Sequence, residues 1–584
     1  MTVNVSLSTQ GLFCLFISGV LLLHGKYSYA SHVYATPSSI DGKDTLTQKI
    51  HLSGNPLRNH RLTRERYLAL TDSIICPTTK SSPGDFCGAK LYTVYKLADS
   101  ANFTGSNVFE FASNRTASYH ISEYVFKYKT QVRNGTVIDA TGIIMLPRGL
   151  SIPEGHPILM FGHGTVGSND EAAPSATLDN LDFFLSLELN GMRNFATIGF
   201  MVVVPDYAGL GVSDIHGYYL VKKPTAYSVI DSVRSSMVFA QKQGVLVSRN
   251  TAFIGHSQGG SAVLQALEVY DGPEAYGKSS FDVKVVVPLA PAPVFRYAFY
   301  AGYSLFYSNF AASIFSSYLY AASIYNTNLS IATLLSPLAV NLTTSYVPSV
   351  SVSYMLVNNL FPANSVDYFS PVAIAATQYN FNGLLCYTGN PSCQGGLPPL
   401  TLSVFTFDPI PADWQRQMDE DSPGYTLTSS VPIRLLQGTA DTVVNPLFTI
   451  PLAQKLATNG AVLVDKEGKP IMLNPQSLIS ELGKTSNCTN QGLFLQCGLS
   501  HAEISFAMDQ YVPLVLSQVQ LPIVKKRCSD DPNFYMWNNT RRTCNWIAEK
   551  EVRTTRYCSK MRKYSGSSLM PNYTICQAAC GFCR

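Results

Sequence analysis

Short runs of consecutive apolar residues, bounded by Gly and Pro, punctuate the middle of the chain: Pro157 to Phe161, Phe200 to Val204, Thr251 to Ile254, Val283 to Val287 and Ile433 to Leu436. Continuous apolar runs suit strands buried on both faces, as in a parallel sheet covered by helices. Between them, Val229 to Gln243 and Ser261 to Tyr270 carry helical period. Residues 122–147 read as two strands around Asn134-Gly135, a dipeptide that favours the φ > 0 conformations of a tight hairpin turn. The pattern therefore predicts an α/β fold: an antiparallel opening, then a mostly parallel central sheet flanked by helices. No internal repeat stands out.

One region breaks the pattern. Between Arg296 and Asp413 the only charged residues are Asp367 and Asp408, and Tyr, Phe, Ala and Ser dominate. A transmembrane hairpin is one reading, but frequent Ser, Asn and Tyr within residues 297–325 make a poor spanning helix. An inserted, mainly helical cap over a hydrophobic site fits better, because such pockets are lined by apolar and aromatic side chains.

Composition agrees with a large core-forming protein. The chain has 584 residues, of which 46% are hydrophobic and 14% charged, with a net charge of +4. Disordered chains are richer in charge and poorer in hydrophobics. So few basic residues also leave no dense surface for phosphates, which argues against a nucleic-acid partner.

Residues 11–23 form an apolar stretch too short to span a bilayer, followed by small residues at Ser28-Tyr29-Ala30. Residues 1–30 are expected to be a cleaved signal peptide and the protein secreted; the lack of Lys or Arg in residues 1–10 leaves an uncleaved anchor as the alternative. Removing Cys14 leaves twelve cysteines, an even number that suits disulfides in an oxidising compartment. Spacing suggests the local pairs Cys76–Cys87, Cys386–Cys393 and Cys488–Cys497. Sequons at Asn102, Asn114, Asn134, Asn328, Asn341, Asn487, Asn538 and Asn572 are glycosylation candidates consistent with secretion.

The chemistry centres on Gly255-His256-Ser257-Gln258-Gly259-Gly260, which follows one predicted strand and opens a predicted helix. A Gly-X-Ser-X-Gly in that setting places its serine on a sharp, strained turn, making Ser257 the candidate nucleophile. A neutral hydroxyl needs a general base, and the base needs an orienting carboxylate. In this arrangement the chain order is serine, acid, histidine, and His501 is the one histidine downstream of Ser257. Ile433 to Gly438 supplies a strand and a turn before Asp441, a setting that Asp408, Asp419, Asp421 and Asp465 lack, so Asp441 is the expected acid. The oxyanion of the intermediate needs preorganised N–H donors. One should be Gln258, next after the nucleophile; the other should come from Gly162-His163-Gly164-Thr165, with Gly164 and Thr165 both open. Asp206, which precedes the serine, is expected to brace its own loop.

His163-Gly164-Thr165, Pro205-Asp206-Tyr207-Ala208-Gly209-Leu210-Gly211, Gly255 to Gly260 and Gly438-Thr439-Ala440-Asp441 occur in order, and together they resemble the signatures of the secretory lipase family of α/β-hydrolases. The resemblance spans roughly residues 120–510. It implies a lipase or carboxylesterase that cleaves hydrophobic esters or lipids, at a lipid–water interface or in solution, with a cap inserted between nucleophile and acid. No metal or organic cofactor is needed for that chemistry. A serine peptidase on the same fold, and a catalytically inactive adhesive or toxin-like binder, are the alternatives.

The last 57 residues hold six cysteines and too few apolar residues for an independent core. Cys576-X₃-Cys580-X₂-Cys583 is similar to the ShK-type toxin fold, which implies the pairs Cys528–Cys583, Cys544–Cys576 and Cys558–Cys580. Zinc binding is disfavoured by the secretory context. Lys563-Tyr564 falls where channel-blocking members of that family carry such a pair, but docking to a surface or protein partner is the more modest expectation. The expected layout is therefore signal peptide 1–30, N-terminal extension 31–120, hydrolase domain 121–524 with a cap at about 292–425, and a six-cysteine domain 528–583. Residues 525–584 hold twelve Lys or Arg against four Asp or Glu, a surplus of eight, so the preceding 524 residues carry a net −4.

Overall fold

The computed structural model describes residues 81–103, 106–149, 152–166, 183–211, 217–292, 309–348, 410–473 and 495–521, with short pieces at 71, 73–76, 174–175, 355, 358–362, 364–371, 373–374, 535–536 and 540–541. All of them lie in the unit Ala69–Arg584. The expected signal peptide and Cys386–Cys393 lie outside the described residues, as do all six cysteines of the expected C-terminal module. Of that module only a short antiparallel pair is described, Tyr535–Met536 with Thr540–Arg541.

Seven strands form one sheet in the order β1-β2-β3-β5-β4-β6-β7. They are β1 (Phe86–Tyr95), β2 (His120–Gln131), β3 (Val137–Arg148), β4 (His156–Gly162), β5 (Met201–Pro205), β6 (Val247–His256) and β7 (Asp282–Leu289). β2 and β3 are antiparallel in unbroken register from His120↔Arg148 to Gln131↔Val137. Between them Asn134 and Gly135 both have positive φ, +54° and +73°, as the dipeptide predicted. β5, β4, β6 and β7 are mutually parallel. The apolar run at 433–436 continues the sheet beside β7, through parallel bridges Val286↔Ile433 and Leu289↔Leu436. It leads into β8 (Gln437–Gly438), which pairs in parallel with β9 (Leu495–Gln496).

Every residue of β4 and β5 is buried, which explains their unbroken apolar sequences. Burying one such side chain contributes roughly 1.5–3 kcal/mol. The centre of the sheet therefore holds the domain together far more than its edge strand β1, none of whose residues is fully buried. β1 lies in the stretch expected to be an extension outside the domain, yet it pairs antiparallel with β2 and joins the same sheet. Its sequence shows neither an unbroken apolar run nor a clean alternation, because an edge strand buries little. Cys76 is disulfide-bonded to Cys87 at the start of β1.

Helices cover the sheet: α1 (Ser106–Ser113), α2 (Phe183–Thr197), α3 (Lys222–Lys242) and α4 (Gln258–Asp271). Beyond β7 the described chain builds a second apolar centre from α5 (Asn309–Tyr325), α6 (Pro337–Tyr346), α7 (Ser365–Tyr368) and α8 (Ala412–Asp421) before re-entering the sheet. Tyr318, Leu319, Ala339, Tyr368, Trp414 and Met418 pack there with Tyr219 to Val221 of the body. Its buried aromatics have their polar ends matched: Tyr368 donates to the Ala312 carbonyl at 3.0 Å, and Trp414 Nε1 to the Ser330 carbonyl at 3.1 Å. Among the described residues no helix is long and apolar enough to cross a membrane. Two helices follow near the end of the sheet, α9 (Pro446–Thr458) and α10 (Val512–Val519).

Candidate active site

β6 runs straight into the turn that carries Ser257. The serine has φ +56° and ψ −116°, outside the regions L-residues prefer, and α4 begins at the next residue. A non-glycine residue held there costs about 1–3 kcal/mol, and the surrounding chain must hold it in place. The Ser257 N–H donates to the Leu289 carbonyl at 2.8 Å, and its own carbonyl accepts from Ala292 and Ser261. Gly259 makes the turn possible in another way: a Cβ there would come within 1.9 Å of the Gly162 carbonyl oxygen, so only glycine lets α4 lie against the end of β4.

Asp441 and His501 arrive from the far end of the sheet. The Asp441 Oδ2 lies 2.8 Å from His501 Nδ1. Its Oδ1 accepts from the N–H groups of Val443 and Val444, each at 2.9 Å. Gln437 donates to Oδ2 at 2.8 Å and is itself held by the Val444 carbonyl and the Thr449 hydroxyl. The histidine loop is tied to the acid loop by main chain: Thr439 N–H to the Gln496 carbonyl, Ala440 N–H to the Leu499 carbonyl, and Gly498 N–H to the Thr439 hydroxyl at 2.8 Å. Cys497 in this loop is disulfide-bonded; Cys488 lies outside the described residues.

The loop after β4 reaches the same place. His163 is fully buried and stacked on Tyr207, with ring centroids 4.3 Å apart. Burial pulls its pKa down to about 4, so the ring is neutral and its Nδ1 meets the Gly164 carbonyl at 2.7 Å. The Gly164 N–H is already engaged, donating to Glu188 Oε2 at 3.1 Å. By contrast, the N–H groups of Thr165 and Gln258 have no acceptor among the described residues. The Thr165 hydroxyl pairs with Tyr219 at 2.9 Å. Asp206 braces its neighbourhood, accepting from Thr141 at 2.6 Å and from the N–H and hydroxyl of Ser175. Burial raises its pKa.

Glu188, His256 and Gln437 are buried polar residues of this site that the sequence reading did not single out. His256 stood in plain view beside the serine. Glu188 lies 68 positions upstream of it in a helix, where a lone glutamate looks like any surface residue. Gln437 occupied the turn before Asp441 without any motif to mark it. The other candidates are placed simply. The sequon residues Asn114, Asn134, Asn328 and Asn341 are exposed, while Asn487, Asn538 and Asn572 lie outside the described residues. Cys76, Cys87 and Asp139 are the three metal-type ligands that cluster among the described residues, and the bonded cysteines have no thiolate to offer.

Residues 183–273, which run from α2 through the elbow and α4, match the secretory lipase family. The rice cell-wall-degrading esterase LipA of Xanthomonas oryzae is similar in structure at 17% identity, with TM-score 0.51 over 76% of this chain and 98% of that one. A Legionella pneumophila protein is similar in structure at 16% identity, with TM-score 0.51 over 75% of this chain and 99% of that one. No curated protein matches the chain. At these identities the likeness establishes the fold, and the fold is that of the α/β-hydrolases.

Proposed function

We propose that this protein is a secreted serine hydrolase that cleaves hydrophobic esters, as a lipase or carboxylesterase does. The observation that carries this reading is the 2.8 Å pairing of His501 with Asp441, in a loop whose His501 carbonyl meets His256, the residue before a serine held at positive φ on a strand-to-helix turn. In the proposed reaction Ser257 attacks the acyl carbonyl, His501 takes its proton and returns it to the leaving alcohol, and water then releases the acyl-enzyme. Asp441 holds the His501 tautomer with Nδ1 protonated and stabilises the imidazolium. The Thr165 and Gln258 amides receive the oxyanion; the Gly164 amide is committed to Glu188. A helix N-terminus behind the serine adds partial positive charge where negative charge develops.

The apolar cap supports hydrophobic substrates. The local match to secretory lipases, the likeness to an esterase and the apolar leader at residues 11–23 point the same way. Substitution Ser257→Ala should leave a folded protein with ester turnover reduced to background. Wild-type rates against acyl chains of increasing length, with and without a lipid–water interface, should favour longer chains over acetate. Full turnover by Ser257→Ala overturns the assignment, and cleavage of peptides but not esters favours the peptidase alternative.

A further inference from the structure

Immediately before the nucleophile, His256 sits with both ring nitrogens facing acceptors. Its Nδ1 lies 2.6 Å from Glu188 Oε1, and its Nε2 lies 2.9 Å from the carbonyl oxygen of His501. A carboxylate and a carbonyl can only accept, and a neutral imidazole has one N–H to give. With Glu188 ionised, both bonds require the doubly protonated imidazolium. The pair is enclosed, with each side chain only 7% exposed, so the charge on the ring is balanced locally by Glu188.

We propose that Glu188 and His256 act as a charged positioning pair: the His256 imidazolium, held by Glu188, anchors the main chain of His501, and loss of its second proton sets the alkaline limit of the activity. This rests on the reading of His501 as the general base. Glu188 spans three parts of the site, since its other oxygen accepts from Gly164 in the loop that presents Thr165. Without the second proton, His256 drops either Glu188 or the His501 carbonyl, and the base loses one of its main-chain restraints.

The charged and titratable groups facing His256 are few. From α2 comes Glu188, from the loop after β8 comes Asp441, and from the loop after β9 comes the His501 ring, 4.7 Å away between centroids. The loop after β4 brings the Gly164 main chain against the pair and the neutral His163 ring within electrostatic reach of Glu188, as is the buried Tyr207 stacked on it. Burial opposes protonation of His256, but the hydrogen bond and charge of Glu188, with the His501 carbonyl and Asp441, outweigh it and raise its pKa. His501 must itself become cationic during turnover within reach of this ring. Glu188 makes that possible by cancelling the neighbouring charge.

The test measures kcat/KM for p-nitrophenyl butyrate on the full chain between about pH 5 and pH 10, with wild type, Glu188→Gln and His256→Gln. Wild type should show an alkaline limb. Glu188→Gln should move that limb down by about one pH unit or more, the shift expected when a close opposite charge is removed. His256→Gln donates an amide N–H that does not titrate, so its profile should lose the alkaline limb at reduced rate. Rates that are merely scaled down, with the wild-type limb kept in both variants, overturn the proposal; so does a limb kept in His256→Gln alone. Should Glu188→Gln not fold, the His256→Gln profile decides. Failure of the underlying hydrolase reading looks different: wild type itself would show no turnover and no fluorophosphonate adduct on Ser257.

Discussion

Four donors converge on the Asp441 carboxylate: two main-chain N–H groups, the Gln437 amide and the His501 ring. Four is about what an ionised carboxylate can accept, and an asparagine cannot reproduce it, because its NH₂ would face donors. Asp441→Asn should therefore lose the tautomer control on His501, lowering kcat roughly 10³–10⁴-fold with little change in KM. A loss under about tenfold in steady-state kinetics would move the acid elsewhere. The meeting of Asp441 and His501 could be anticipated because Asp441 follows a strand-and-turn signature, as Ser257 does, and because the chain order leaves one histidine downstream of Ser257. Glu188 and Gln437 could not, since what marks them is a polar contact made only when distant segments meet. The choice between Gly164 and Thr165 also needed the fold, as it turns on which amide Glu188 occupies.

At the scale of elements, the buried strands announced themselves as apolar runs because both of their faces are covered. The hairpin was equally plain from Asn134-Gly135, whose two residues take the conformation the dipeptide favours. β1 was hidden: at the edge of the sheet, without a fully buried residue and shifted in register at two points, it has no periodic pattern to read. Its attachment is reinforced by Cys76–Cys87, 11 positions apart. Closing so short a loop stabilises by about 3 kcal/mol through the unfolded chain. The double change Cys76→Ser with Cys87→Ser should lower unfolding free energy by about that amount in denaturant titration, while kcat stays near wild type because β1 lies at the opposite edge from β8 and β9. A fall in kcat matching the loss of stability would show that β1 supports the site.

Across the whole molecule, the apolar cap and the body meet at a buried carboxylate. Asp421, at the end of α8, accepts from the Lys222 N–H at 2.8 Å, from Gln417 at 2.9 Å and from Tyr318 of α5 at 3.1 Å. Burial raises its pKa to about 6. The folded protein thus keeps a proton that the unfolded chain releases near pH 4, and the associated stability is present below about pH 4 and is lost as pH rises through about 6. Asp421→Asn removes that dependence. The Tm of the variant relative to wild type should therefore become more favourable between about pH 4 and pH 7, and a constant difference would contradict the reading. The low charge of the chain has the same address, since the nearly uncharged stretch between Arg296 and Asp413 supplies the apolar residues of α5, α6 and α7.

Whether Ser257 is a working nucleophile is read most directly by treating the full folded chain with a fluorophosphonate and mapping the adduct by peptide mass spectrometry. A single phosphonyl group is expected on Ser257, suppressed by a competing long-chain ester and absent from Ser257→Ala. A folded chain that hydrolyses esters yet carries no adduct there, or carries it on another residue, would contradict that expectation.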